Sequence, residues 1–314
     1  MVDDPDPRLH RHDLAAGHVF VAPQRATRPV DAGRGPAGAD PAAACPFCAG
    51  HESRTPPDIL RAPADPALPW RARIVANLYP VVVHRAAPAA GTAAERDAHG
   101  VHDVLIESAA HERSILDVDA AAWREVWELC RRRLADLARR GDLAWATVFK
   151  NSGPRAGASL EHLHSQIVAL DFVPPLVETE LAAARSAADP FGALVESARA
   201  AGRVVAESGG VVALVPAAPR QPYETWLVPD APEPSFHAAA AERVAAVADL
   251  TRWFVARLGR LAGGADYNWW LHQAPHAACP PGWRWHLEIL PRLADLAGFE
   301  LGTGCHITTL EPRE

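Results

Sequence analysis

Two periods run through the apolar and polar positions of this chain, and they predict where strands and helices lie. Residues 117–140 place Val118, Ala122, Val126, Leu129, Cys130, Leu134 and Leu137 at helical spacing, with Asp117 or Asp119 placed to cap the first turn. Residues 237–261 repeat the pattern with an Ala, Val and Leu stripe, and 176–201 are helical material interrupted near Pro190. Strand patterns fall at 18–22, at 73–85 as two strands around a turn at Asn77 to Pro80, at 101–108, and in LAWATVFK, which ends at Lys150. In the second half they fall at 203–206 and 211–215 as a hairpin around Ser208 to Gly210, then at 223–229, 267–272 and 284–290. The order strand, strand, strand, helix, strand, strand therefore occurs twice. It predicts an α+β fold of two tandem halves, 1–175 and 176–314, each a mostly antiparallel sheet with packed helices.

The stretch Asn151 to Gln166, NSGPRAGASLEHLHSQ, carries the candidate chemistry. A strand alternates its side chains between faces, so His162, His164 and Gln166 are expected on one surface, with Leu163, Ser165 and Ile167 turned the other way. Just before them, Ser152, Gly153, Gly157, Ala158 and Ser159 form a small-residue loop whose backbone N–H groups suit an anion. Upstream, Cys45-Pro-Phe-Cys48 presents two thiols in one turn, which suits either a metal ion or a redox pair. Gly50, Pro56 and Pro57 follow in place of a helix, which favours metal. Arg25 and Arg28, beside Pro29, read on their own as solvated charge. Residues 31–44, rich in Gly, Pro, Ala and Asp, read as a mobile loop.

Composition narrows the partners. A net charge of -7 and a pI near 6.1 give no broad basic surface for nucleic acid or anionic membranes, while a local pocket for phosphate remains open. Hydrophobic residues make up 49%, enough for a full core. The polar, acidic N-terminus and the lack of a long apolar run point to a soluble, cytoplasmic protein. Five cysteines at irregular spacing argue against a disulfide framework. Arginine is used almost to the exclusion of lysine, Lys150 being the exception, which reads as compositional bias.

Eight strings in order, GHVFVAPQRATRP, CPFC, ANLYP, GVHDVLIESAAH, NSGPRAGASLEHLHSQ, QPYETWLVP, WLHQAP and AGFELGTG, give the chain its resemblance to a known family. It resembles the galactose-1-phosphate uridylyltransferases and their nucleoside-diphosphate-sugar phosphorylase relatives in the histidine-triad superfamily. The resemblance implies zinc held by Cys45, Cys48, His111 and His162, His164 as nucleophile, and Gln166 bonded to the transferring phosphate. It implies that Ser159, Arg25 and Arg28 hold phosphate oxygens, that Asn77 and Asn151 lie near the nucleoside and phosphates, and that Glu300 belongs to a hexose-binding segment. Chemically, imidazole suits the role of nucleophile because it is uncharged near neutral pH.

Three departures stand out. Leu163 replaces the proline found between the histidines of the best-known uridylyltransferases. The lysine expected before Glu300 is absent. A second metal position would fall at Glu180, His272, His286 and Glu288, with a carboxylate where histidine is usual. The implied activity is ping-pong uridylyl transfer between UDP-glucose and galactose-1-phosphate. The alternatives are an ADP-glucose or dinucleoside polyphosphate phosphorylase and, from another class, a non-catalytic zinc-stabilised nucleotide-binding protein. Nucleotide sugar and sugar phosphate are the expected partners, in a homodimer whose sites borrow residues from the partner's second half.

Overall fold

In the computed structural model, residues 6–11, 17–29, 41–84, 91–92, 95–277 and 279–314 are described; most of the glycine- and proline-rich stretch at 31–44 and the first five residues lie outside them. A small antiparallel sheet is formed by β1 (Arg8–Arg11), β2 (His18–Val21) and β5 (Glu95–Asp97) in the order β2-β1-β5. The main sheet has ten strands. From the first half come β3 (Asp58–Ala62), β4 (Ala72–Ala76), β6 (Gly100–Ile106), β7 (Trp145–Ser152) and β8 (His164–Leu170). From the second come β9 (Val204–Ser208), β10 (Val211–Leu214), β11 (Thr225–Pro229), β12 (Tyr267–His272) and β13 (His286–Pro291).

The spatial order β3-β4-β6-β8-β7-β12-β13-β11-β10-β9 makes the repeat explicit. Read inward from either edge, each half runs first, second, third, fifth, fourth strand. Each fourth strand meets the other antiparallel at the centre, Tyr267 opposite Ser152 and Trp270 opposite Phe149. In each half one long helix precedes the fourth strand: α2 (Ala120–Ala138), which follows the short α1 (Pro41–Ala44), and α5 (Ala241–Ala262). Between the halves lie α3 (Pro175–Arg185) and α4 (Pro190–Ala200), and α6 (Gly298–Thr303) comes near the C-terminus.

The predicted cap of α2 resolves to Asp119, whose Oδ1 accepts from the backbone N–H of Ala121 at 2.8 Å and of Ala122 at 3.3 Å. α2 and α5 lie on one face of the sheet and share one core. Trp123, Leu134, Val247 and Phe254 pack there with Leu163, Ile167, Trp269, Leu287 and Ile289. Cys130 sits in this core as an inert thiol. The indole of Trp123 donates to Thr251 Oγ1 at 3.1 Å and ties the two helices together.

Two expectations change. Residues 73–85 do not form two strands: the ladder stops at Ala76, and only Val83 makes an isolated bridge, to His99. Asn77 Oδ1 takes the N–H of Tyr79 at 2.8 Å and Pro80 has no N–H, so the chain turns away from the sheet. His162 also lies outside its strand, because pairing begins with His164 opposite Ile106. The reading of three polar groups along one strand face therefore holds for His164 and Gln166, while His162 turns elsewhere. No helix among the described residues is long and apolar enough to cross a membrane.

Candidate functional site

On β8 the alternation divides the side chains as the sequence pattern requires. Leu163 and Ile167 enter the helix-covered core, while His164 and Gln166 line a cleft of about 290 Å³ on the opposite face. Arg25, Arg28, Asn77, Asn151 and Ser159 line the same cleft, so seven of the residues singled out from the sequence converge. Glu300 does not. It lies in α6, where its Oε2 accepts the N–H of Ala297 at 3.1 Å.

The state of the His164 ring follows from its contacts. Nδ1 lies 2.8 Å from the carbonyl oxygen of His162, so it carries the proton and donates, and Nε2 is left with a free lone pair. Burial pulls the pKa down to about 4 against the opposing His162 hydrogen bond, with the Lys150 charge adding to the depression. A neutral, oriented imidazole is the state a nucleophile needs at neutral pH.

Lys150, the chain's lysine, lies directly behind. It is 1% exposed, donates to the carbonyl of His164 at 2.9 Å and pairs with Glu107, which is equally buried. Glu107 also accepts from Ser165 Oγ, and its N–H donates to Leu163 O at 3.2 Å. Both ends of the His164 peptide unit are thus anchored from the core side. Sequence reasoning passed over this pair, although a lone lysine in an arginine-rich chain was a visible signal: a compact ammonium on a flexible stem meets a carboxylate, a carbonyl and the Trp269 ring at one point.

The loop beyond β7 is shaped by two glycines at positive φ, Gly153 at 86° and Gly157 at 81°, around a 3-10 turn at Pro154–Ala156. A Cβ on Gly153 would collide with the carboxylate of Asp266, which receives the N–H of Arg155 at 2.6 Å. Asn268 Nδ2 donates to Asn151 Oδ1 at 2.8 Å and to Ala156 O at 2.9 Å. The second half therefore clamps a loop that belongs to the first, through Asp266 and Asn268, two residues that sequence reading did not single out.

Next to the cleft, Cys45, Cys48, His111 and His162 bring one donor atom each within 4.8 Å of one another. The Sγ to Nδ1 separations are 3.5 Å for Cys45 to His162, 3.6 Å for Cys48 to His162 and 3.4 Å for Cys48 to His111. A tetrahedral ion with ordinary Zn–S and Zn–N bonds sets thiolate and imidazole donors roughly 3.6 Å apart, so the spacing fits. His162 Nε2 lies 2.9 Å from Ser108 O and donates to it, which leaves Nδ1 bare and aimed at the thiols. Phe47, between the two cysteines, packs edge-on to His164 with ring centroids 5.4 Å apart and links this cluster to the cleft.

A second cluster joins Glu180, His272, His286 and Glu288, also within 4.8 Å. His272 Nδ1 lies 2.9 Å from Glu180 and 3.5 Å from Glu288. Arg220 pairs with Glu288 and Glu224, and the Trp226 ring stacks on His286 with centroids 5.4 Å apart. Burial would raise the Glu288 pKa, but His286, Arg220 and His272 overcome it and hold the carboxyl down to about 2.

Residues 113–314 match a family described as "Domain of unknown function (DUF4921)". The chain is 30% identical over 325 residues to the ADP-glucose phosphorylase of Arabidopsis thaliana, with 100% of this chain and 92% of the relative covered. It is 25% identical over 234 residues to the galactose-1-phosphate uridylyltransferase of Thermotoga maritima, covering 70% and 73%. Among solved structures, the Arabidopsis thaliana ADP-glucose phosphorylase with bound ADP-glucose superposes with a TM-score of 0.77, 29% identity and 98% and 96% of the two chains covered. A uridylyltransferase structure gives 0.80, at 25% identity and 98% and 95%. The chain thus belongs to the galactose-1-phosphate uridylyltransferase-like family of nucleotidyl-transferring enzymes in the histidine-triad superfamily, the family that includes ADP-glucose phosphorylase.

Proposed function

We propose that this enzyme splits ADP-glucose with inorganic phosphate, through a nucleotidyl group held on His164. The lone pair of His164 Nε2, held bare by the Nδ1 donation to His162 O and open to the cleft, carries this reading. Nε2 attacks the α-phosphorus, the bond from that phosphorus to the bridging oxygen breaks, and glucose-1-phosphate leaves. Phosphate then attacks the same phosphorus, the P–N bond breaks, ADP departs and the imidazole is regenerated. Gln166 and Ser159, with N–H groups of the 153–159 loop, steady the phosphate oxygens, Arg25 and Arg28 offset their charge, and Asn77 and Asn151 contact nucleoside and phosphate. Zinc at Cys45, Cys48, His111 and His162 is structural: two thiolates and two neutral imidazoles close the site and leave no position for substrate.

The full-length similarity to a phosphorylase and the missing lysine before Glu300 both favour phosphate over a hexose phosphate as acceptor. Uridylyl transfer from UDP-glucose to galactose-1-phosphate is the second reading, supported by the uridylyltransferase fold match. In either case Glu300, which does not line the cleft of its own chain, reaches the site of a second copy in a homodimer. A steady-state panel decides between the readings. ADP-glucose with phosphate is expected to yield ADP and glucose-1-phosphate, with no need of a second sugar phosphate; turnover confined to UDP-glucose with galactose-1-phosphate would replace the first reading by the second. Metal analysis of the purified protein is expected to find zinc.

A further inference from the structure

Gln166 has a partner to which none of the roles above has been given. His102, on β6 and 5% exposed, places Nε2 2.9 Å from Gln166 Oε1 and Nδ1 3.1 Å from the backbone nitrogen of Val81. A backbone N–H cannot be reversed, so Nδ1 accepts from Val81 and carries no proton, which excludes the imidazolium and one of the two neutral tautomers. The ring proton sits on Nε2. Two side chains meet that atom. Asn77 offers Nδ2 at 3.0 Å, its own Oδ1 being taken by the N–H of Tyr79 at 2.8 Å, so this is a contact between two N–H groups. Gln166 offers the oxygen. Burial, foremost, and the nearby Arg25 charge draw the His102 pKa down to about 4 against the Gln166 hydrogen bond, which keeps this neutral form in place at neutral pH.

A glutamine amide is nearly symmetric in shape, and a half-turn about its last bond exchanges oxygen for nitrogen. Facing a phosphate the two ends differ completely, because NH2 donates to phosphate oxygens and a carbonyl oxygen repels them. We propose that His102 is a positioning residue which, by donating from Nε2 to Gln166 Oε1, locks that amide with its NH2 turned to the transferring phosphate. The inference rests on the nucleotidyl-transfer reading of the cleft. It also connects the Tyr79 to Val81 turn, through one imidazole, to the reaction centre.

Two substitutions separate this role from scaffolding. H102N keeps an acceptor near Nδ1 for Val81 and removes the donor to Gln166; H102Q keeps a donor near Nε2 and removes the acceptor. Single-turnover formation of the nucleotidyl enzyme from α-phosphate-labelled ADP-glucose is expected to slow about tenfold to a hundredfold in H102N and to stay within about threefold of wild type in H102Q, the scale set by losing one oriented donor. In a Q166A background H102N is expected to cost nothing more. The reverse order, or full rates in both variants, would overturn the proposal. If both variants fail to fold, nitrogen-15 NMR of wild-type histidines decides: a bare Nδ1 and protonated Nε2 on His102 support it, and a proton on Nδ1 overturns it. No labelling of the wild type by any nucleotide sugar would sink the transfer reading itself, while the tautomer measurement separately reports whether His102 fixes the amide.

Discussion

β8 and β13 hold the same place in their respective halves, both carry a histidine followed at alternate positions by polar groups, and the scaffold treats them in opposite ways. His164 and Gln166 open on a cleft, whereas His286 and Glu288 are closed in by Glu180 of α3, Trp226 of β11 and Arg220. The cause is the segment between the halves. α4, together with Glu180 of α3, closes the second half on the face that stays open around His164 in the first: Val195 and Ala198 pack on Val212, Leu214 and Val228, and Phe191 against His286, while the apolar side of α3 also packs on Val168 and Leu170 beyond the cleft. Charge follows the same division. The first half strips its imidazole of charge by burial beside a buried ammonium. The second sets two carboxylates around two histidines, and its His286 pKa is raised: burial opposes the charge, but Glu288 and Glu180 prevail. One strand order thus carries two different surroundings, an uncharged imidazole lining an open cleft and a histidine pair enclosed by carboxylates, without any change of topology.

The sharpest attempt to break this contrast is substitution of the two histidines. His164→Ala is expected to lower nucleotidyl transfer by about 10⁴-fold or more, as removal of a nucleophile does, while His286→Ala leaves the chemical step per folded molecule within about threefold. Equal losses in single-turnover rate would erase the distinction. Metal removal comes next. Structural zinc binding in small domains is worth on the order of 10 kcal/mol, so chelation or Cys45→Ser is expected to lower the thermal midpoint sharply. Elemental analysis is expected to give one zinc per chain, because Arg220 already supplies a cation to the second cluster. Two metals per chain would contradict that assignment.

Lys150→Met leaves the Glu107 carboxylate buried without its partner and is expected to cost about 3–5 kcal/mol in denaturant unfolding, part of it restored by adding Glu107→Gln. Full stability in the single variant would refute the anchor. The smallest effects are in acid. His102 and His164 have folded pKa values near 4, below the ordinary 6.5, so the unfolded chain binds more protons and their share of stability is lost as pH falls from about 6.5 towards 4. Glu288, held near 2, contributes above its ordinary 4.5 and loses its share only as pH falls from there towards 2. Acid unfolding should therefore start in the first half, and the transfer rate should show no inflection near pH 6.5. Hydrogen exchange and a pH–rate profile test both.

The sequence carried what depends on local periodicity. The stripes of α2 and α5, the alternation at Leu163 to Ile167 and the small-residue loop could be read because each is set by neighbours a few residues apart. The pairing of β7 with β12, and hence the use of Asp266 and Asn268 to hold the 153–157 loop, depends on contacts more than a hundred residues apart. The second strand expected after Asn77 failed because an Asn side chain and Pro80 divert backbone that looked apolar enough to pair. His162 was read as a strand residue because its spacing from His164 fits one, and only its turn towards the thiols shows otherwise. His102 left a trace: a histidine two residues before Val104, on the face of β6 that lines the cleft.

Everything proposed for the cleft requires one imidazole, that of residue 164, to take the nucleotide. Intact-protein and peptide mass spectrometry after rapid alkaline quench of wild-type enzyme with ADP-glucose, in the absence of phosphate, tests it most directly. A single nucleotidyl adduct is expected on the peptide containing His164, discharged as ADP when phosphate is added. An adduct on His272 or His286, or an unmodified chain that still turns over substrate, would contradict it.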